Sequence, residues 1–239
     1  MDQRMPKQLN LSSIEVFSGL TARELVSVSD LCQEQCFQID DQIIGQMSAT
    51  QGVYFIDKGS VRVINLTTSG KEVTLEVLSE GKCFGELAAI DSGPRSSSVI
   101  AIKPTLLFLM SAPNFLKTME KYPSVSLKIM GMLAKVIRTS SERITNLVTL
   151  GANARVLAEV MKRISEQGYD KTNNKILIEN FPVHSEIARK ASTTRETVTR
   201  VLSTLSKKNI IRRSGSTLEV SDIAVLERTF LNLSNSDIR

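Results

Sequence analysis

The period at which apolar residues recur switches from strand-like to helical near Pro113, and that switch limits the fold more than any other feature. Between Phe37 and Met110 they arrive in short runs, VYFI, SVRVI, EVTLEVL, SVIAI and TLLFLM, separated by Gly, Ser, Asn and Pro. Short apolar runs between turn formers predict strands, and several at close spacing predict an antiparallel barrel or sandwich. Gly59, between Ile56 and Val61, predicts a tight hairpin turn, as does Ser69-Gly70 between Val63 and Val73. After Pro113 a helical period takes over. From Ser124 to Leu150 there is no proline, and Met130, Leu133, Ile137, Ile144, Leu147 and Val148 form a narrow stripe on a seven-residue repeat. A helix of about 25 residues spans roughly 37 Å, more than a small barrel needs for cover. The stripe therefore predicts a dimer seam, the alternative being a helix packed wholly on its own subunit. Ser140 and Ser141 interrupt it where an apolar pair is due. A polar step in a seam costs stability unless it sets register or meets something polar.

Before the strands, Leu9–Cys36 reads as helical. Thr21 and Glu24 make a capping box, and Leu25, Val28 and Leu31 share a face. Beyond the long helix, Gly151-Ala152-Asn153 reads as a break or hinge. Ala154–Gln167 is a second amphipathic helix, Gly168–Asn174 a polar loop and Lys175–Phe181 a short strand. Two short helices follow, about His184–Ala191 and Thr194–Lys207, with Ser192-Thr193 between them. That is helix-turn-helix spacing. IIRRSGSTLEV then predicts two strands around Ser214-Gly215, a wing, and Asp222–Phe230 a short final helix.

Charge separates the two halves. Residues 1–150 hold 15 Lys/Arg and 15 Asp/Glu, whereas 151–239 hold 15 and 10 and carry the whole net +5. Eight bases and two acids fall within 181–213, as expected of a surface facing a polyanion. The second short helix begins TRETVTR. Arg195 and Arg200 can grip guanine O6 and N7, Glu196 can accept from cytosine N4, and Thr194 can cap the helix and touch phosphate. The alternative is a solvated pair of charges at Arg195 and Glu196.

The segment CFGELAAIDSGPRSSSV, Cys83–Val99, sets an acid, Glu86, and a base, Arg95, among apolar strands. A planar guanidinium suits a phosphate anion and a carboxylate accepts well from a hydroxyl. The alternative is an internal salt bridge that organises the strands.

FGELAAIDSGPRSSSV and TTRETVTRVLSTL, in this order and flanking the seam helix, resemble the phosphate-binding cassette and recognition helix of the CRP/FNR family of bacterial transcription regulators. The likeness runs from about Leu9 to Leu218. It implies an α+β fold: an antiparallel, jelly-roll-like beta-roll over 1–123, a dimerisation helix over 124–150 and a winged helix-turn-helix over 151–239. It implies cyclic AMP as allosteric ligand, with Gly85 and Leu87 in the cassette backbone, Glu86 on the ribose 2′-hydroxyl, and Arg95 and Ser96 on the cyclic phosphate. Ser140 and Ser141 would meet adenine, one from each subunit. Double-stranded DNA would be read by Thr194, Arg195, Glu196 and Arg200 as two-fold related half-sites resembling TGTGA and TCACA. RNA polymerase is the further expected partner, through the 168–175 loop. This sequence departs from the family pattern at Val183 and His184, at Met47 in a roll turn usually filled by glycine, and at Lys190 and Thr199.

Other classes fare worse. Cys32, Cys36 and Cys83 are too few for a four-cysteine iron–sulfur cluster, and no metal is expected. The single histidine, His184, falls in the helix-turn-helix, so neither haem ligation nor a Ser-His-Asp triad is supported. There is no G-x-x-x-x-G-K-[ST] loop. An enzyme is not expected. MDQRMPKQLN has no apolar signal core and no run approaches a membrane span, so a cytoplasmic location away from membranes is expected. A constitutive regulator, or one sensing cyclic GMP or 2-oxoglutarate, is the open alternative.

Overall fold

In the computed structural model, residues 9–67, 70, 72–167 and 176–236 are described. They form two compact units that divide after Lys135. No helix among the described residues is long and apolar enough to cross a membrane.

The first unit holds a short 3-10 turn (Glu15–Phe17), α1 (Ala22–Ser29), eight strands, α2 (Glu86–Asp91), α3 (Ala112–Lys121) and the start of α4 (Pro123–Thr149). The strands are β1 (Cys32–Phe37), β2 (Gln42–Ile44), β3 (Val53–Lys58), β4 (Ser60–Leu66), β5 (Glu72–Ser79), β6 (Cys83–Phe84), β7 (Ser98–Ala101) and β8 (Thr105–Met110). They make two four-stranded antiparallel sheets, ordered β1-β8-β3-β6 and β2-β7-β4-β5. The first sheet is covered on both faces. Val53, Phe55, Phe108 and Met110 pack with Phe17, Val28, Phe115 and Ile129 on the helix side. Ile56 and Leu107 point the other way and meet Ile44, Val61, Phe84 and Val99. Double burial explains why VYFI and TLLFLM are continuously apolar, whereas EVTLEVL, on an edge strand with one face in solvent, carries polar residues between its apolar ones.

Two local expectations are corrected. Leu9–Cys36 is not helical throughout. The Thr21–Glu24 capping box does open α1, with the Glu24 carboxylate 2.8 Å from Thr21 N. The helix ends at Ser29, and CQEQCF pairs along its full length with β8, Cys32 opposite Met110 and Phe37 opposite Thr105. An edge strand exposes enough polar side chains to hide its period. Gly59 turns the chain, at φ +95°, but β3 and β4 belong to different sheets, so the turn is a crossover and not a hairpin. A Cβ there would lie 2.5 Å from Pro104 O. Gly70, at φ +77°, sits between the paired β4 and β5, while Ser69 lies outside the described residues.

The second unit holds the rest of α4, α5 (Ala152–Gln167), β9 (Ile176–Ile178), α6 (His184–Lys190), α7 (Arg195–Lys207), β10 (Ile211–Ser214), β11 (Thr217–Val220) and α8 (Ile223–Ser236). The strands form an antiparallel sheet, β10-β11-β9. Val156, Leu157, Val160, Ile187, Val198, Leu202, Leu205, Leu218 and Leu226 share one core. The last helix runs six residues beyond the expected end at Phe230. Ile223 and Leu226 are buried and Phe230 and Leu233 pack against the same core, so the stripe continues through a polar-looking tail. The loop 168–175 lies outside the described residues.

Candidate ligand pocket and nucleic-acid interface

The cassette is built from one tight passage of chain. β6 ends at Phe84, Gly85 turns at φ +84°, and α2 runs from Glu86 to Asp91. Ser92 closes the helix at φ +57°, and Asp91 Oδ1 accepts from Gly93 N at 2.8 Å. The chain then reaches Arg95, whose backbone is pinned in both directions: Arg95 N donates to Ser48 O at 3.0 Å, and Met47 N donates to Arg95 O at 2.9 Å. Met47 adopts φ +65°, a left-handed conformation that glycine takes without strain.

Arg95 is 2% exposed. Its Nη1 donates to Gly85 O at 2.8 Å, its Nη2 to Gly52 O at 2.7 Å and its Nε to Thr50 Oγ1 at 3.1 Å. None of the ion pairs within 4.0 Å among the described residues joins it to Glu86 or to any other carboxylate. A guanidinium carries five N–H donors, so these three bonds leave one hydrogen on each terminal nitrogen. A buried cation held by neutral oxygens is electrostatically incomplete and suits an anion. Glycine at position 85 is required twice, by its positive φ and because a Cβ would stand 2.6 Å from Arg95 Nη1 and 3.0 Å from Gly52 O. Burial pushes the Glu86 carboxyl upward, opposed by a backbone hydrogen bond and by Arg95. Tyr54, stacked on Phe84 with ring centroids 5.2 Å apart, is pushed up by burial and drawn back down by Arg95.

Gly85 and Arg95 are thus in direct contact. Leu87 and Ser96 are exposed beside them, and Ser140 and Ser141 are exposed on α4, in the other compact unit. Thr50 and Gly52 were not singled out from the sequence. They stand 45 and 43 residues before Arg95, and no local pattern marks them.

In the second unit, Thr194 caps α7, its Oγ1 accepting from Thr197 N at 3.3 Å. Val198, Val201, Leu202 and Leu205 are buried. On the opposite side Arg195, Glu196, Thr199, Arg200 and Ser203 line one shallow concavity. A backbone N–H and the Thr194 side chain hold the Glu196 carboxyl below its ordinary value. The turn between α6 and α7 is clamped by two arginines. Arg143, on α4, donates to Ser192 Oγ at 2.8 Å and Arg189 O at 2.9 Å. Arg155, on α5, donates to Leu150 O at 2.6 Å, Ala191 O at 2.8 Å and Ser192 O at 3.1 Å. Neither was legible in the sequence, where each is one base in an amphipathic helix. Arg213, on β10, lies over the Phe181 ring, 5.5 Å from its centroid.

A two-sheet roll with a buried arginine, followed along the chain by a long helix and a winged helix-turn-helix, defines a transcription regulator that binds DNA through its helix-turn-helix. Comparison with known proteins agrees. Residues 34–122 match the family described as Cyclic nucleotide-binding domain and residues 153–229 the Crp-like helix-turn-helix domain. The chain belongs to the CRP/FNR family of transcription regulators, and its members are regulators and not enzymes. The Cyclic AMP receptor protein of Thermus thermophilus is 29% identical over 92% of this chain and 98% of its own. The cAMP-activated global transcriptional regulator CRP of Salmonella typhimurium is 26% identical over 79% and 90%. Among solved structures, Thermus thermophilus Catabolite Activator Protein matches over 91% of this chain and 99% of its own, with 29% identity and TM-score 0.53. CprK in complex with OCPA, 16% identical over 89% and 94% with TM-score 0.76, shares the fold.

Proposed function

We propose that this protein is a homodimeric transcription regulator that binds cyclic AMP in the roll and, when loaded, binds two-fold symmetric promoter DNA through α7. The buried Arg95, which makes no ion pair within 4.0 Å among the described residues, carries this reading. Its two remaining N–H groups would hold the cyclic phosphate with Ser96, while Glu86 would accept from the ribose hydroxyl and Ser140 and Ser141 would meet adenine across the seam. The resident ligand supplies a bridge between subunits. It shifts a two-state equilibrium by its differential affinity for the DNA-competent geometry. Arg195, Glu196 and Arg200 read bases, Thr194 meets phosphate, and RNA polymerase is the partner of the DNA-bound dimer.

Calorimetric titration with cyclic AMP, cyclic GMP and 2-oxoglutarate tests the reading, alongside binding to a duplex carrying TGTGA and TCACA half-sites. Cyclic AMP should bind and tighten the duplex complex. Arg95→Ala should weaken cyclic AMP binding roughly 10- to 150-fold, the worth of about 1.5–3 kcal/mol for a charge-assisted hydrogen bond. A thermal melt confirms that the variant folds. Equal affinity in a folded Arg95→Ala, or a cyclic AMP response no larger than that of the other two compounds, overturns the assignment.

A further inference from the structure

His184 stands at the edge of the α7 reading face, and its hydrogen bonds fix what it can do there. Its Nδ1 lies 2.9 Å from Thr199 Oγ1. The Thr199 hydroxyl lies 3.0 Å from Arg195 O, one helical turn back. A hydroxyl has one hydrogen to give. Both contacts are satisfied only when Thr199 donates to Arg195 O and accepts from His184 Nδ1–H. In the neutral ring the proton is therefore on Nδ1, and Nε2 carries a lone pair.

The surroundings favour that neutral ring in the free protein. The ring is partly buried, and two guanidiniums act on it electrostatically, Arg213 of β10 and Arg195 of α7. Burial is the larger effect in holding its basicity below the ordinary histidine value, with the two cations adding to it. The acids nearby do not oppose this. Glu186, on the same helix as His184, is engaged by Arg163 at 3.3 Å and Lys190 at 3.4 Å. Glu196 points into the concavity with Arg195 and Arg200.

We propose that His184 takes up a proton when duplex DNA docks on α7, so that DNA affinity rises as pH falls. The inference rests on the DNA-reading role given to that face. Phosphates arriving there bring negative charge that offsets the repulsion of an imidazolium by Arg213 and Arg195. They also offer an acceptor to a new Nε2–H, while Nδ1–H stays on Thr199. The balance is one proton taken from solvent onto Nε2 and one charge-assisted hydrogen bond gained. The sign follows from linkage: the group binds its proton more tightly in the complex, so the gain is full below the free-state value and is lost as pH rises through the complex value. One linked proton changes affinity by at most about tenfold per pH unit, so binding should be several-fold tighter at pH 6 than at pH 8, with a ceiling of about a hundredfold.

Because the chain has one histidine, its ring protons give a single NMR titration in the intact protein. The experiment follows that signal from pH 5 to 9, with and without the symmetric duplex, at saturating cyclic AMP. In parallel, duplex affinity is measured over the same range for wild type and His184→Asn. Asparagine places an amide N–H near the Nδ1 position and cannot titrate. The proposal requires the duplex to move the histidine titration to higher pH and the variant to flatten the slope of affinity against pH. A histidine titration unmoved by DNA, or equal slopes in the two proteins, overturns it while leaving the DNA-reading role standing. Absence of duplex binding by wild type at every pH would instead fail that role.

Discussion

In the role proposed for it, Glu86 would serve a ligand at the expense of the empty fold. Its folded carboxyl is raised above the ordinary 4.5, chiefly by burial. The native state therefore holds its proton more tightly than the unfolded chain does. The sign follows: Glu86 makes stability fall as pH rises from about 4.5 through the raised value, and above that the buried carboxylate is a standing cost. Glu86→Gln removes the charge and keeps the shape. In thermal melts the ligand-free variant should be more stable than wild type at pH 7, and the difference should vanish at pH 4, where both side chains are neutral. Calorimetry on the same variant should show weaker cyclic AMP binding, because the amide can give a 2′-hydroxyl only a neutral acceptor. A variant that gains stability with unchanged affinity would show that Glu86 does not touch the ligand.

At the scale of elements, legibility followed burial. β3 and β8 announced themselves because both faces are covered and nearly every residue is apolar. β1 was hidden because Gln33, Glu34 and Cys36 are exposed on an edge strand, and a polar run beside a capped helix looks like more helix. The turn at Gly59 was visible, but not that it joins two sheets, since local chemistry does not choose a strand's partners. The cassette was legible in its own segment and opaque in Thr50 and Gly52, which reach Arg95 only through tertiary closure. The recognition helix was read almost entirely: cap, buried stripe and exposed bases are all local. Its reading role has a direct check. Arg195→Ala should cost about 1–3 kcal/mol on the symmetric duplex in an anisotropy titration, with selectivity relaxed at one base pair per half-site. An equal loss on scrambled duplex would make Arg195 a phosphate contact instead.

At the scale of the whole molecule the decisive element is α4. With Met130, Ile137 and Ile144 taken as one heptad position, Leu133, Ser140 and Leu147 fall three residues on, and Leu127, Ala134, Ser141 and Val148 four on. Along this stripe Leu127 is 66% exposed, Ile137 65%, Ile144 63% and Val148 81%. So many large apolar side chains open along one helix mark an interaction face. A two-fold axis beside the helix would pair each with its copy, an isologous arrangement. The serine step then has a physical meaning. It is the point where the stripe gives up apolar packing, and the proposed function supplies a polar partner there in the base of the ligand. Charge at Ile137 tests the seam without touching Ser140 or Ser141. Burying an isoleucine side chain is worth about 1.5–3 kcal/mol, and each substitution acts twice, so Ile137→Asp should weaken self-association by roughly 3–6 kcal/mol before any charge repulsion. Sedimentation at micromolar concentration should show wild type at twice the monomer mass and the variant at the monomer mass, with its melt retained because Ile137 is exposed in the single chain. Specific duplex binding should collapse with the dimer, because one reader contacts only one half-site. A variant that stays dimeric would move the seam to another face.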